Sequence, residues 1–302
     1  MNKNTVISVC ITTFNVEPFI RECIDSVLRQ RTDAHLEILI ADDGSTDSTV
    51  NILKSYAASH PSLFRLLLHD HVGITENNLR AFNECSGDFV AILDGDDVWT
   101  DEYKLHKSLL FLKEHPEVIF THHNGYIVEG SQPLGLFNRE SPPKLYDLKY
   151  LLEHPAVWNS SVVYRNMLKG KIPSWLHTVI GHDYSLHILH AKHGMVGYIN
   201  EAMGNYRLHV GNMTRQYSGE RTKEFYSATL SNIRYLKQEL GKEYAPLLNL
   251  MMARHYDVIA GQYWNSKQWG KFLVNVLRGY LLCPVRSIKE YKDSYYHLFR
   301  QP

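Results

Sequence analysis

The most chemically distinctive segment of the sequence is Asp94-Gly95-Asp96-Asp97, which carries three carboxylates in four residues. It directly follows the apolar run FVAIL (89–93), which is typical of a buried strand. Carboxylates this close together repel one another unless solvent or a cation compensates their charge. Their hard oxygens suit Mg²⁺ or Mn²⁺, which bind one or two protein carboxylates together with substrate phosphates. The segment therefore predicts either a divalent-cation site for a phosphorylated substrate or a solvated acidic turn.

A second acidic segment, Asp42-Asp43-Gly44-Ser45, follows the apolar run LEILIA (36–41). Its side chains can form a turn and cap a helix, since Asp and Ser accept hydrogen bonds from the first backbone N–H groups of a helix. A carboxylate here can also accept a hydrogen bond from an imide N–H, such as N3 of uracil. Dinucleotide binding is not predicted, because no GxGxxG motif follows the first strand-like run.

The first 110 residues must position these acids, and they alternate strand-like and helix-like patterns. Strand-like runs occupy 6–13, 36–41, 63–68 and 89–93, with helical spacing between them. This order predicts a Rossmann-like, mostly parallel sheet flanked by helices, an α/β fold. Ligands of such sheets bind beyond the carboxyl ends of the strands. Because the polar segments 12–15, 42–45 and 94–97 all lie at such ends, we expect them to be close together.

The remaining two thirds of the chain have different patterns. From about residue 111 to 217 the periodicity weakens, which predicts an α+β lobe with a loop at 130–143. From about 218 onward a helical pattern predicts a helical C-terminal extension, with one apolar stripe formed by Tyr226, Leu230, Ile233, Leu236 and Leu240. We therefore expect three regions, 1–110, 111–217 and 218–302.

Composition excludes several classes of function. Lys and Arg total 32, as do Asp and Glu, so no net charge favours nucleic acid as a partner. The four cysteines are scattered without a CxxC pair, which suits a reducing cytoplasm. We recognise neither a signal peptide nor an apolar stretch long enough to span a membrane. A cytoplasmic enzyme is expected, with any membrane contact being peripheral.

The C-terminal tail departs from this neutral average. Between 263 and 302 it carries seven basic residues against two acidic ones, interleaved with Trp, Phe and Leu. Basic amphipathic segments of this kind can lie on anionic membranes. The alternative is a helix that packs on the rest of the chain or on a second copy of it.

The acidic segment has one local competitor. Asp94 to Val98 also matches DxDx(T/V), the phosphatase pattern in which the first Asp is the nucleophile. That motif normally follows the first strand, whereas three strand-like runs precede it here, and it leaves Asp43 without a role. A catalytically silent sugar-binding scaffold is the other alternative.

Longer blocks of sequence favour one of these possible functions. The segments SVCITTFN (8–15), EILIADDGSTDST (37–49), GITENNLR (73–80) and GDFVAILDGDDVWTDEYKL (87–105) resemble family 2 glycosyltransferases of the GT-A fold in order and spacing. The resemblance continues through WNSSVVYRN (158–166), IGHDYSLHILHAKHG (180–194) and GYINEAMGNYRLH (197–209), so it covers roughly residues 5–215. It implies an inverting, metal-dependent transfer from a nucleotide sugar.

The resemblance also assigns donor-binding side chains within residues 1–110. Thr12 and Asp43 would contact the base, and Asp94 the ribose or sugar. The full implied set is Thr12, Phe14, Asn15, Asp43, Asn77, Asp94 and Gly95. Since an Asp pairs with thymine as well as uracil, UDP and dTDP both stay open, with UDP expected.

The same resemblance implies the metal and catalytic residues. Asp96 would bind Mn²⁺ or Mg²⁺ with Asp97 beside it, and His209 would lie near the diphosphate or the metal. Asp183 would be the catalytic base. The preceding residue is His182, where many relatives carry Glu or Asp, so His182 could tune Asp183 or touch the acceptor.

The acceptor half is expected within 111–217, where Trp158, His122 and His182 are candidate acceptor-binding residues. The whole pattern predicts transfer of a hexose or N-acetylhexosamine from a UDP-sugar to a glycan or glycolipid, in surface polysaccharide synthesis. One base opposite the leaving group gives a single displacement and hence inversion.

Overall fold

The computed structural model describes residues 5–212 and 221–284, and the chain divides into two compact units. The first unit consists of Met1–His177 and Leu186–His209, and the second of Thr178–Ser185 and Val210–Pro302.

One sheet organises the first unit. Its strands are β1 (Val6–Thr13), β2 (His35–Asp42), β3 (Phe64–Leu68), β4 (Phe89–Asp94), β5 (Val98–Trp99), β6 (Val118–Glu129), β7 (Gln132–Leu136), β8 (Leu145–Tyr146), β9 (Val163–Arg165) and β10 (Met195–Leu208). Their order is β3-β2-β1-β4-β9-β6-β10-β5, with β7 paired to β6 and β8 paired to β10.

The helices fill the intervals and the C-terminal part. They are α1 (Glu17–Leu28), α2 (Thr49–Ser59), α3 (Ile74–Glu84), α4 (Lys104–Glu114), α5 (Leu148–Glu153), α6 (His182–Ala191), α7 (Thr222–Glu239), α8 (Ala245–Asn265) and α9 (Trp269–Leu282). None of the helices within residues 5–212 and 221–284 combines the length and apolarity that crossing a bilayer requires.

The predicted parallel sheet is confirmed in the first 110 residues. Strand β1 lies between β2 and β4, and all of these pairs, with β2–β3, are parallel. The centre of β1 is buried on both faces, as its unbroken apolar run requires. Helix α1 begins beside Pro18, whose fixed φ suits a first helical turn, and it buries Ile20, Ile24 and Val27.

The second half of the sheet is mixed. Strand β9 runs antiparallel to both β4 and β6, whereas β10 runs parallel to β6 with irregularities between Ile199 and Asn205. Strand β10 also pairs antiparallel with β5, which places Asn205 opposite Val98. This pairing brings the end of β10 beside the acidic segment that precedes β5.

The loop expected at 130–143 is partly a strand. Residues Gln132–Leu136 form β7, which pairs antiparallel with the end of β6. All five of its residues are exposed and include Pro133 and Gly135, so it lacks the alternation that marks a half-buried strand. An edge strand with no buried face leaves no signal in a hydrophobicity pattern.

The second unit is built mainly from α7, α8 and α9. The stripe predicted on α7 is found, because Leu230, Ile233 and Leu236 are buried. Helix α8 packs against both α7 and α9. The helical extension expected from about residue 218 is therefore present across 222–282.

Trp158 packs against a glycine on each of the two long strands of the first unit. A Cβ added to Gly125 of β6 would lie 2.4 Å from Trp158 Cζ3, and one added to Gly204 of β10 would lie 2.7 Å from Cη2. Real Cβ atoms do not approach so closely, so the indole occupies the space that two missing side chains provide. The ring itself is 2% exposed.

Gly125→Ala is therefore expected to lower the free energy of unfolding by about 1–3 kcal/mol, the usual cost of overpacking a core. Urea denaturation followed by circular dichroism measures it. Gly270→Ala is the matched control, because a Cβ there meets nothing within 4 Å. Equal midpoints for the two variants would show that Trp158 does not require a glycine at 125.

Candidate active site

The register of the central strands gathers the predicted acids at one edge of the sheet. Thr13 at the end of β1 lies opposite Asp42 of β2, and Thr12 lies opposite Asp94 of β4. The carboxyl ends of parallel strands meet at one edge, so the segments 12–15, 42–45 and 94–97 are neighbours there.

The acidic segment is a turn held against β1. The backbone N–H of Asp97 donates to Asp94 O at 2.9 Å, and that of Gly95 donates to Thr12 O at 2.9 Å. A Cβ on Gly95 would lie 2.7 Å from Thr13 Cγ2, so the turn approaches β1 more closely than a side chain permits. Gly95 thus positions its neighbours by its small size.

Asp94 is oriented by the short 3₁₀ helix Asn159–Ser161. Asn159 Nδ2 donates to Asp94 Oδ1 at 3.1 Å, and Ser160 Oγ lies 3.2 Å from Asp94 Oδ2. The Asp94 backbone N–H in turn donates to Ser160 Oγ at 3.1 Å. These contacts fix the carboxylate that the resemblance assigns to the donor.

Asp97 points inward and is 1% exposed. Its Oδ2 accepts hydrogen bonds from Trp158 Nε1 at 2.9 Å and Ser160 Oγ at 2.6 Å, while Oδ1 accepts one from the Arg207 backbone N–H at 3.0 Å. Burial, and after it the charges of Asp96 and Asp94, raise the pKa of Asp97 well above its ordinary value. Asp97 therefore joins the acidic turn to two other chain segments.

Asp96 faces His209, which directly follows β10. Asp96 Oδ2 lies 2.8 Å from His209 Nε2, and each side chain is about a fifth exposed, at 19% and 20%. A carboxylate oxygen and an imidazole nitrogen that converge at a partly open position suit Mn²⁺, whose other ligands can be substrate phosphates and water. Among the described residues no group of three or more His, Cys, Asp or Glu side chains converges in this way. The pair fits the cation that the sequence implies.

Arg207 is a residue of this site that the sequence reasoning missed. Its Nη1 donates to Asp96 O at 3.3 Å, its Nη2 contacts Glu22 Oε2 at 2.5 Å, and its side chain is 12% exposed. The guanidinium also lies 5.6 Å from the Phe19 ring. Residues two apart along a strand lie on the same face. Arg207 precedes His209 by two residues, so the sequence could have predicted that the two side chains lie on the same side of the chain.

Asp43 lies on the other side of β1 and is 2% exposed. Its carboxylate accepts hydrogen bonds from the backbone N–H groups of Val72 at 2.7 Å and Gly73 at 3.0 Å, and its Oδ2 lies 2.8 Å from His71 Nδ1. The His71 ring stacks on Phe14 with centroids 4.6 Å apart. The predicted base contact of Asp43 would require His71, whose side chain is 59% exposed, to move from this position.

The side chains of the two asparagines in the predicted donor set form hydrogen bonds with backbone groups of neighbouring segments. Asn15, at a positive φ of 51°, accepts a hydrogen bond from Thr46 N at 2.8 Å through its Oδ1. Asn77 is 2% exposed, donates to Ala41 O at 3.1 Å and lies 3.1 Å from His69 Nε2. In this arrangement Asn15 shapes the loop after β2, and Asn77 fixes α3 to that strand.

Two of the candidate acceptor residues are buried. His122 is 1% exposed, with Nε2 2.6 Å from the Tyr146 hydroxyl, and Trp158 is 2% exposed with its indole N–H bound to Asp97. The structure does not support direct acceptor contact by either residue, because neither presents a surface to a ligand. The reason is that β6 lies inside the sheet and the indole packs over Gly125 of β6 and Gly204 of β10.

Asp183 and His182 belong to the second unit, in the first turn of α6. Gly181, at a positive φ of 73°, precedes them. The side chain of Asn232 in α7 donates to Ile180 O at 2.7 Å and to Gly181 O at 3.3 Å. The turn before α6 is therefore held by a side chain that binds its backbone carbonyl groups. Asp183 is partly buried, His182 is 5% exposed, and their roles stay predictions.

Comparison with known proteins decides among the interpretations of this site. The profile of the family described as "Glycosyl transferase family 2" matches residues 8–169. The chain belongs to this glycosyltransferase family. That membership removes the phosphatase interpretation of Asp94.

A related protein aligns with a longer stretch of the chain than the family profile does. An uncharacterised protein of Mycobacterium tuberculosis is 35% identical to this glycosyltransferase over 209 residues, which cover 67% of this chain. The same stretch spans 59% of the length of the mycobacterial protein.

Solved structures confirm the GT-A fold. Residues 1–349 of Staphylococcus aureus TarS, crystallised with UDP-GlcNAc, superpose with a TM-score of 0.62 at 15% identity, covering 90% of this chain and 89% of that one. The mannosyltransferase PcManGT from Pyrobaculum calidifontis, in complex with GDP-Man and Mn²⁺, gives a TM-score of 0.60 at 17% identity, with coverages of 98% and 81%.

Asp97→Asn is expected to loosen this site. An amide offers one acceptor oxygen in place of two, so its NH₂ group would face a donor, at a cost of about 1–3 kcal/mol in unfolding free energy. Urea denaturation and UDP titration calorimetry measure the effect on stability and on donor affinity, and both should fall. The control is Asp33→Asn, an exposed aspartate, for which we expect a change within about 0.5 kcal/mol. Unchanged stability and affinity in Asp97→Asn would contradict the role given to this carboxylate.

His122 makes the stability of the first unit sensitive to acid. Burial, and after it the neighbouring His187, lower the pKa of His122 to about 3. A histidine whose pKa is lower in the folded state contributes fully above its unfolded pKa of about 6.5, and that contribution is lost as the pH falls towards 3. Replacing His122 by Gln, which does not titrate, should reduce the slope of unfolding free energy against pH by up to about 1.4 kcal/mol per pH unit between pH 6 and 4. Identical slopes in urea denaturation would refute this.

Proposed function

We propose that this glycosyltransferase moves a hexose or N-acetylhexosamine from a UDP-sugar to a glycan or glycolipid, with inversion and with the help of Mn²⁺ or Mg²⁺. The observation that carries the proposal is the set of acids at the ends of β2 and β4, on either side of β1, with Asp96 paired to His209. Family membership supports sugar transfer, and the two structural neighbours support a nucleotide-sugar donor.

The donor half of the reaction depends on oriented carboxylates and one cation. Asp96 and His209 would hold the cation, which when bound neutralises the negative charge that develops on the leaving diphosphate. Asp94, held by Asn159 and Ser160, would accept hydrogen bonds from donor hydroxyl groups. Arg207 adds a positive charge next to Asp96.

The base preference follows from Asp43 and Phe14. If His71 moves away from Asp43 and Phe14, the Asp43 carboxylate can accept the single imide N–H of uracil, and the Phe14 ring can stack on a pyrimidine in place of the imidazole. The structural neighbours carry UDP-GlcNAc and GDP-Man, so the fold is compatible with both bases, and the choice of uracil rests on these side chains.

In the acceptor half of the reaction, we assign the role of catalytic base to Asp183. Its carboxylate can accept the proton of the acceptor hydroxyl as the glycosidic bond forms. Attack from the face opposite the leaving group gives inverted product in one displacement. Surface polysaccharide synthesis is the pathway we propose, since a Bacillus subtilis protein that is 34% identical over 113 residues is named a putative teichuronic acid biosynthesis glycosyltransferase.

A thermal-shift screen of nucleotide sugars with Mn²⁺ tests the donor. A ligand that binds only the folded state and is present at 100 times its Kd adds about 2.7 kcal/mol of stability, which is readily visible as a rise in Tm. UDP-sugars should raise the Tm more than dTDP-glucose or GDP-mannose. Stabilisation by none of them, together with no UDP release, would support a silent scaffold.

Two substitutions separate the assigned roles. Asp96→Ala should weaken metal-dependent UDP binding and lower UDP release by at least about tenfold, since it removes one cation ligand. Asp183→Asn should leave UDP binding intact and lower turnover about 10²–10⁴-fold, the usual contribution of a general base. Glu224→Gln, another first-turn acid of the second unit, is the matched control and should retain wild-type turnover. Full activity in both site variants would show that the assignment is wrong.

A further inference from the structure

Helix α9 exposes most of its large apolar side chains, whereas its fully buried residues are an asparagine and a glycine. Asn275 is 6% exposed and Gly279 is also buried, while the Asn275 side chain donates to Lys271 O at 2.7 Å. Exposure of the large apolar residues runs from 48% to 69%, and these are Trp269, Leu273, Val274, Leu277, Tyr280 and Leu281. A helix of a globular protein normally packs the other way round.

The exposed apolar residues form one continuous face. At 100° per residue they fall within an arc of about 140°, with Trp269 and Tyr280 on one side and Val274 and Leu281 on the other. Arg278 and Lys271 follow within the next 60° or so, and both are exposed. The helix WGKFLVNVLRGYLL contains no acidic residue. The face is thus apolar with a basic edge.

Contacts with α8 determine this orientation. Phe272 lies on the packed side, with its ring 5.1 Å from that of Trp264. The guanidinium of Arg278 lies 5.9 Å from the Tyr256 ring, and Lys271 Nζ lies 5.4 Å from the Tyr263 ring. The Trp269 ring also meets that of Trp264, with centroids 4.8 Å apart, although Trp269 is half exposed. The basic edge therefore borders α8, and Trp269 anchors one side of the exposed apolar face to it.

We propose that this face binds the surface of an anionic lipid bilayer, with α9 lying in the plane of the interface. Its apolar residues would enter the acyl boundary, as those of interfacial helices do. Trp269 and Tyr280 are of the types enriched at membrane interfaces. Lys271 and Arg278 would meet anionic headgroups, and each basic residue near such a surface raises partitioning roughly fivefold at low salt.

Charge favours lipid over a second copy of the chain. Pairing two α9 faces would supply no acidic partner for Lys271 and Arg278, because α9 contains no acidic residue, whereas anionic headgroups would. The sequence that follows α9 adds basic charge, since Arg286, Lys289, Lys292 and Arg300 outnumber Glu290 and Asp293.

Vesicle co-sedimentation of the full chain tests the proposal. The probes are phosphatidylcholine vesicles and vesicles of an equimolar mixture with phosphatidylglycerol, neither of which contains a glycan acceptor. We expect at least tenfold stronger binding to the mixed vesicles, weakened by added salt because exposed charges are screened. Absence of binding to the mixed vesicles, or equal binding to both, would overturn the proposal.

Two sets of substitutions separate the apolar and basic contributions. Combining Leu273→Gln, Leu277→Gln and Leu281→Gln should lower binding to mixed vesicles more than tenfold, and Lys271→Gln with Arg278→Gln should remove most of the preference for them. Leu110→Gln and Leu134→Gln, at exposed leucines of the first unit, are the matched controls and should bind like the unmodified chain. Unchanged binding in the triple variant would overturn the proposal.

Further measurements distinguish lipid binding from misfolding, from an effect of catalysis and from self-association. The triple variant should keep its Tm and its UDP binding, which shows that it folds. Asp183→Asn should bind vesicles like the unmodified chain, because the proposed surface is independent of the catalytic base. If ultracentrifugation instead shows a dimer that the triple variant dissociates, the face serves self-association and the lipid proposal fails.

Discussion

The geometry of the candidate site depends on the buried carboxylate of Asp97. It accepts hydrogen bonds from an indole N–H and a hydroxyl of residues 158–160 and from the backbone N–H of Arg207, two segments that are distant in sequence from it and from each other. Through Ser160 it orients Asp94, and through the backbone of Arg207 it fixes the end of β10 and hence His209. Burying a charge is costly without such partners, so the surrounding side chains must be present together.

The three neighbouring aspartates therefore have different environments despite their adjacency. Asp94 lies against amide and hydroxyl donors, Asp96 against an imidazole at a partly open position, and Asp97 against donors in the core. These environments suit hydrogen bonding to a donor, cation binding and structural support, respectively. Because each carboxylate has its own polar partners, the repulsion among the three adjacent acids is offset.

Helices α7 and α9 show the limit of inferring faces from periodicity. Both carry an apolar stripe, but that of α7 is buried, whereas that of α9 is exposed and its Asn275 and Gly279 are packed. A pattern establishes that a helix has two faces, and only its neighbours decide which face turns inward. The second unit is therefore well predicted in its elements and poorly predicted in its surface.

The sequence by itself determined the order of strands and helices, the parallel arrangement of β1 to β4 and the placing of the acids at their ends. These follow from local apolar runs and from the general rule for parallel sheets. Only the tertiary structure decided that Trp158 and His122 are core residues, that His71 lies beside Asp43 and that Arg207 borders Asp96. Asp97 lies 61 residues from Trp158 and 110 from Arg207, and contacts across such separations leave no periodic signal in the chain.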